Sequence, residues 1–121
     1  MPFLDPTLEA WRHAGKIEHM PTPAQILTKS VRDVFAMHGW ITFKAGAGMV
    51  KSDHRMVVFG TAGAPDLVAV KGQRYVLVEI KAGKDRLSDS QKAFQAEVER
   101  VFGNYMVCRS VEDALTWIRG E

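Results

Sequence analysis

Two apolar segments joined by Lys71-Gly72-Gln73-Arg74 constrain this chain more than any other feature. Residues 67–70 and 75–80 are dominated by Val, Leu and Ile, and a short glycine-containing link between such runs is a hairpin signal. A turn centred between Gly72 and Gln73 sets Val70 opposite Tyr75, Val68 opposite Leu77 and Asp66 opposite Glu79. Side chains alternate along a strand, so Asp66, Glu79 and Lys81 share one face, and Leu67, Ala69, Val76, Val78 and Ile80 share the other. Both faces are apolar until the acids begin, which predicts a central hairpin covered on both sides. An odd-length loop would shift the register and separate the acids.

The flanking segments predict helices on either side of this hairpin. Thr22, Pro23 and Gln25 form a capping-box pattern, Ile26, Leu27, Val31, Val34, Phe35 and His38 follow helical spacing, and Gly39 ends the helix. Residues 40–43 read as a strand, 44–54 as a loop or hairpin tip, 55–59 as a strand and 60–64 as a turn. A helix is predicted over 88–102 with Phe94, Val98 and Val101 on one stripe, then a strand over 104–109. Ser110 caps a last helix ending near Ile118, which offers Leu115, Trp117 and Ile118 to the core. The expected fold is α/β, a mixed sheet flanked by helices. Residues 1–20 form an arm with a short helix over 7–14, and Leu8, Trp11 and Met20 can pack on the domain or on a second copy. Residues 21–121 form the one domain that a chain of 121 residues accommodates.

Two like charges placed opposite each other on adjacent strands cost stability unless a cation joins them. Asp66 and Glu79, with the backbone carbonyl of Ile80, supply the oxygens a hard divalent cation prefers. Such a cation would polarise a scissile phosphate and activate water. Lys81 would stabilise charge in the transition state, or merely pair with Glu79. Gln91 closes a second capping-box pattern with Ser88, so it is either a cap or a site residue beside the acids. Lys44, Lys51, Arg55, Lys84, Arg86 and Lys92 suit contacts to DNA phosphates, or belong to an ordinary charged surface. The residues read as a small metal-dependent nuclease, and a net charge of +2 is compatible with a nucleic-acid partner.

Other chemistries fail on pattern. GAGMVKS at 46–52 has Val50 where a phosphate-binding loop needs glycine, and no strand–helix unit frames it. The four histidines lack metal-ligand spacing, and the single cysteine, Cys108, belongs to the predicted core. One cysteine suits a reducing, cytoplasmic location, and no segment has the length of a membrane span or the pattern of a signal peptide.

GTAGAPDL at 60–67, VEIK at 78–81, RLSDSQ at 86–91 and RSVEDA at 109–114 resemble the VRR-NUC branch of the PD-(D/E)XK nucleases. The resemblance covers about residues 22–118 and implies a restriction-endonuclease-like core, magnesium or manganese dependence and DNA cleavage. It maps metal binding onto Asp66, Glu79 and the Ile80 carbonyl, catalysis onto Lys81, and a supporting site role onto Gln91. The family's basic residue after the first strand corresponds to Lys44. Its first-helix glutamate is missing, since that stretch reads Thr22-Pro23-Ala24-Gln25, and Gln25 brings no charge for a second metal ion. Stand-alone members of the family resemble dimeric junction-cleaving enzymes. The expectation is a homodimeric Holliday junction resolvase. A flap or non-specific DNase and a catalytically silent DNA-binding module are the alternatives.

Overall fold

The computed structural model describes residues 20–45, 48–52, 55–59 and 61–120, with backbone alone for 48–52 and 55–59. The expected arm helix over 7–14, with Leu8 and Trp11, lies outside the described residues.

Helix α1 spans Pro23–Met37, and its entry is the predicted capping box: the Thr22 hydroxyl accepts from the Gln25 amide while the Gln25 side chain accepts from the Thr22 amide. Its exit is Gly39 in the left-handed region, φ 87°. Strand β1 (Ile41–Lys44) follows, then β2 (Gly48–Ser52), β3 (Arg55–Phe59), β4 (Leu67–Lys71) and β5 (Arg74–Ile80). Helix α2 (Asp89–Arg100), strand β6 (Tyr105–Cys108) and helix α3 (Val111–Arg119) complete the chain.

Strands β1, β4, β5 and β6 form one sheet in the order β1-β4-β5-β6, with β6 parallel to β5 and the other pairs antiparallel. The β4–β5 register pairs Leu67 with Val78, Val68 with Leu77 and Val70 with Tyr75, as the turn chemistry predicts. Gly72 takes φ 63° in that turn, a value that suits a residue without Cβ. Strands β2 and β3 pair only with each other, in a separate two-stranded sheet. The sequence expectation of a loop or hairpin tip over 44–54 is therefore corrected in extent: Gly48–Ser52 is itself a strand of that hairpin, and its Gly, Lys and Ser content dilutes the alternation that marks one.

The core lies on one side of the sheet. Leu67, Ala69, Val76, Val78 and Ile80 are buried there against Val31 and Phe35 of α1 and Ala114 of α3. Trp40 stacks edge-on against Phe35 and Trp117, both at 5.5 Å between ring centroids, and Arg74 covers the Trp40 ring at 5.1 Å. Each aromatic pair of this kind adds about 1 kcal/mol beyond area burial. On the other side the sheet is covered less completely than its apolar sequence predicts. Helix α2 has no buried residue, and Ile41, Phe43 and Tyr75 remain exposed. Helix α2 ends in a Schellman turn, with Phe102 N–H bonded to Glu99 and Gly103 N–H bonded to Val98. The left-handed position in that turn, φ 59°, belongs to Phe102 rather than to a glycine.

Candidate active site

The carboxyl ends of β5 and β6 and the start of β4 meet where the two acids converge. The register that pairs Leu67 with Val78 brings Asp66 beside Glu79, and the Asp66 Oδ2 accepts a 2.8 Å hydrogen bond from the Ile80 amide. The Leu77 and Lys81 amides point the other way, to Asn104 and Cys108, so those of Val78 and Ile80 face β4. In an antiparallel ladder the N–H and carbonyl of one residue point to the same neighbour, so the Ile80 carbonyl also faces β4. The position opposite Ile80 is Pro65, which has no N–H to offer. The proline before Asp66 thus deprives the Ile80 carbonyl of its ladder donor, next to the carboxylate pair.

Glu79 is 2% exposed and is the buried charged side chain among the described residues. Its Oε1 accepts a 2.7 Å hydrogen bond from Gln91 Nε2 and lies 3.9 Å from Lys81 Nζ. Its Oε2 is buried with no hydrogen-bond partner. Burial, followed by the neighbouring charge of Asp66, pushes the Glu79 carboxyl up to about 7, and Lys81 opposes that rise. A buried carboxylate oxygen without a donor is costly. A cation bound between Asp66 and Glu79 would satisfy it. The donor set therefore fits a hard divalent ion, with Asp66, Glu79 and the Ile80 carbonyl as ligands and water or phosphate completing the shell. No cluster of three acidic, histidine or cysteine ligands occurs among the described residues.

Gln91 performs both tasks that its sequence context suggests. Its Oε1 accepts from the Ser88 amide in a capping box, and its Nε2 donates to Glu79. The two ends of one amide cannot compete, because one accepts and the other donates. Helix α2 is held at this place by a backbone contact with the turn before β4. Gly63 sits at φ 79°, and a Cβ there would fall 2.1 Å from the Ser90 carbonyl oxygen.

The basic residues divide. Lys84 and Arg86, on the loop after Lys81, and Lys92, in the first turn of α2 and next to Gln91, are all exposed. Lys44 is exposed at the end of β1, beside a groove that Asp66 closes. Lys51 and Arg55 lie at the paired ends of β2 and β3, and their side chains lie outside the described residues. Gln25 lines the same groove as Asp66, with its carbonyl engaged by Thr22.

Of three further residues around the site, Tyr105 and Arg32 had no local signal in the sequence, and Arg109 had only the RSVEDA motif that it opens. The Tyr105 hydroxyl is buried without a partner, and its phenol is pushed up to about 12 by burial and then by the charges of Glu79 and Asp66. Arg109 donates 2.7 Å to the Asp85 carbonyl and so fastens the loop that carries Lys84 and Arg86. Arg32 of α1 reaches Thr42 of β1 across the groove.

Comparison with known proteins identifies the family and the fold. A profile of the VRR-NUC domain matches residues 47–112, a span that holds Asp66, Glu79, Lys81 and Gln91. A solved structure titled "VRR_NUC domain" superposes with a TM-score of 0.62 at 19% identity, covering 82% of this chain and 97% of that one. Its likeness is one of fold, and it identifies the mixed sheet with its helices as a restriction-endonuclease-like core. No curated protein matches the sequence. With its strand-end acids, the glutamine-capped helix beside them and more than half its length matched, the chain belongs to the VRR-NUC family, whose nuclease domain hydrolyses phosphodiester bonds in DNA.

Proposed function

We propose that this protein is a magnesium- or manganese-dependent endonuclease for branched DNA, acting as a homodimer on four-way junctions. The observation that carries the catalytic part is the buried Glu79 beside Asp66, with Gln91 and Lys81 on one carboxylate oxygen and the other without a hydrogen-bond partner. Asp66, Glu79 and the Ile80 carbonyl would hold the cation. Bound there, it supplies Lewis acidity toward the scissile phosphate. Gln91 fixes Oε1 of Glu79, which leaves Oε2 as the oxygen that would be offered to the cation. Lys81, 3.9 Å from Glu79, sets a positive charge where the phosphate gains negative charge in the transition state. Lys84, Arg86 and Lys92 contact phosphates near the cut, and Lys51 and Arg55 contact others on the β2–β3 hairpin.

The dimer follows from substrate symmetry. A four-way junction presents two equivalent strands, and a two-fold pair of sites matches them. Apolar surface is available for such an interface at Ile41 and Phe43, which are 68% and 48% exposed. The testing experiment compares four-way junction, flap, duplex and single-stranded DNA in magnesium and in manganese. The reading expects the junction to be cut fastest, with paired symmetric incisions. Faster cutting of flaps or of all duplex DNA would replace the junction reading, and inactivity on every substrate in both metals would favour a silent DNA-binding module. Sedimentation at micromolar protein tests the dimer, and a strict monomer cutting both junction strands together would sink the symmetry argument.

A further inference from the structure

We propose that the groove between α1 and β1 is a binding track for the phosphates of one DNA strand, ending beside Asp66, with Arg32 and Lys44 as the phosphate contacts. The proposal rests on the nuclease reading and extends it to residues of the first helix. The groove measures about 850 Å³ and is open to solvent, with Asp66 and Leu67 at one end. Gln25, Lys29, Arg32 and Ala36 recur at helical spacing along one wall, and Thr42 and Lys44 form the other. From 24 to 36 the wall runs about 18 Å, enough for several nucleotides of a strand rising 3.4 Å each.

Arg32 is the decisive residue. It is half-buried, and its Nε and one terminal nitrogen bond the Thr42 hydroxyl and carbonyl at 3.0 and 3.4 Å. No carboxylate pairs with it among the described residues. A guanidinium has five donors in a rigid fork, so most of that fork stays available after Thr42 is served. Its two hydrogen bonds to Thr42 hold the guanidinium in place but leave its positive charge unneutralised, so an anion brought into the groove meets a fixed countercharge. A phosphate oxygen matches it in charge and in geometry. Lys44 follows Thr42 by two residues on the same side of β1, about 7 Å further toward Asp66. Lys29 adds less, since Asp33 holds its ammonium at 3.0 Å.

Fluorescence anisotropy with a labelled single-stranded oligonucleotide in EDTA tests the track, using wild type, Arg32→Ala, Arg32→Lys and Lys44→Ala. Arg32→Ala and Lys44→Ala should each weaken binding on the order of tenfold at low salt and reduce the salt slope by about 0.7, one phosphate contact on a single strand. Arg32→Lys should recover part of the affinity. Magnesium affinity by calorimetry should match wild type in all three, since no metal ligand is touched. If Arg32→Ala fails to fold, Lys44→Ala decides alone, because Lys44 is exposed. Folded variants that bind DNA with wild-type affinity and slope overturn the track while leaving the nuclease reading intact. A wild type that neither binds nor cuts any DNA overturns both.

Discussion

Glu79→Gln is the most incisive perturbation of the site, because it removes one charge and keeps the shape. The Glu79 carboxyl rises from its ordinary 4.5 to about 7 in the fold, chiefly through burial and then through Asp66. At pH values between these two, the native chain keeps a proton that the unfolded chain has released. Stability without metal is therefore full below the lower value and falls as pH rises toward and through the upper one. The gap between the values, at 1.36 kcal/mol per pH unit, is about 3 kcal/mol. Burial leaves little solvent to screen it, since the residue is 2% exposed. Urea denaturation in EDTA at half-unit steps from pH 5 to 8.5 should show wild type losing roughly 2–3 kcal/mol across the window. Glu79→Gln should lose much less and exceed wild type at the alkaline end. Magnesium should stabilise wild type increasingly as pH rises, because the ion competes with that proton, and should not stabilise the variant. Parallel pH profiles for the two proteins would refute the argument, since the slope would then belong to other groups.

Asp66→Ala should abolish cleavage while urea midpoints in EDTA stay close to wild type, because the lost bond to the Ile80 amide is offset by relief from Glu79; a chain that unfolds would make Asp66 structural. Lys81→Ala, assayed at pH 8.5 where Glu79 is ionised, should cut kcat by at least an order of magnitude with magnesium affinity nearly unchanged by calorimetry. Lost metal binding would contradict the role given to Lys81. Gly63→Ala should destabilise by more than 1–2 kcal/mol, the ordinary cost of a left-handed L-residue, because the new Cβ also meets the Ser90 carbonyl. Thermal melts check this, and a neutral substitution would show that α2 shifts freely.

The parts of this fold that were legible in the sequence are those governed by neighbours along the chain. The β4–β5 register followed from Gly72 and strict alternation, and both capping boxes followed from residues three apart. The acids and Lys81 could be read because the same alternation puts them on one face. Where the chain meets itself from afar, local pattern was silent. Arg32 gives no hint of Thr42 ten residues away, nor Tyr105 of its nearness to the charges of Glu79 and Asp66. Gln91 satisfies its local pattern fully, so its bond to Glu79 needed either the fold or the family resemblance to be seen. Ile41 and Phe43 look like core residues in sequence and are exposed, because apolar character does not tell which face a helix covers. Gly48–Ser52 was missed because its alternation is diluted.

Helix α2 buries none of its residues, yet it carries the glutamine that holds Glu79. An element held by so little apolar contact opens more readily than the Trp40 cluster around α1. Were α2 to lift, Glu79 would lose the donor that orients its carboxylate, and a cation ligated there would favour the seated form. Ligation and helix docking would then be one equilibrium, with cation concentration setting how often α2 is seated. Amide hydrogen exchange would report it: magnesium should slow exchange across α2 and leave α1, already fixed by its aromatic core, at its former rate.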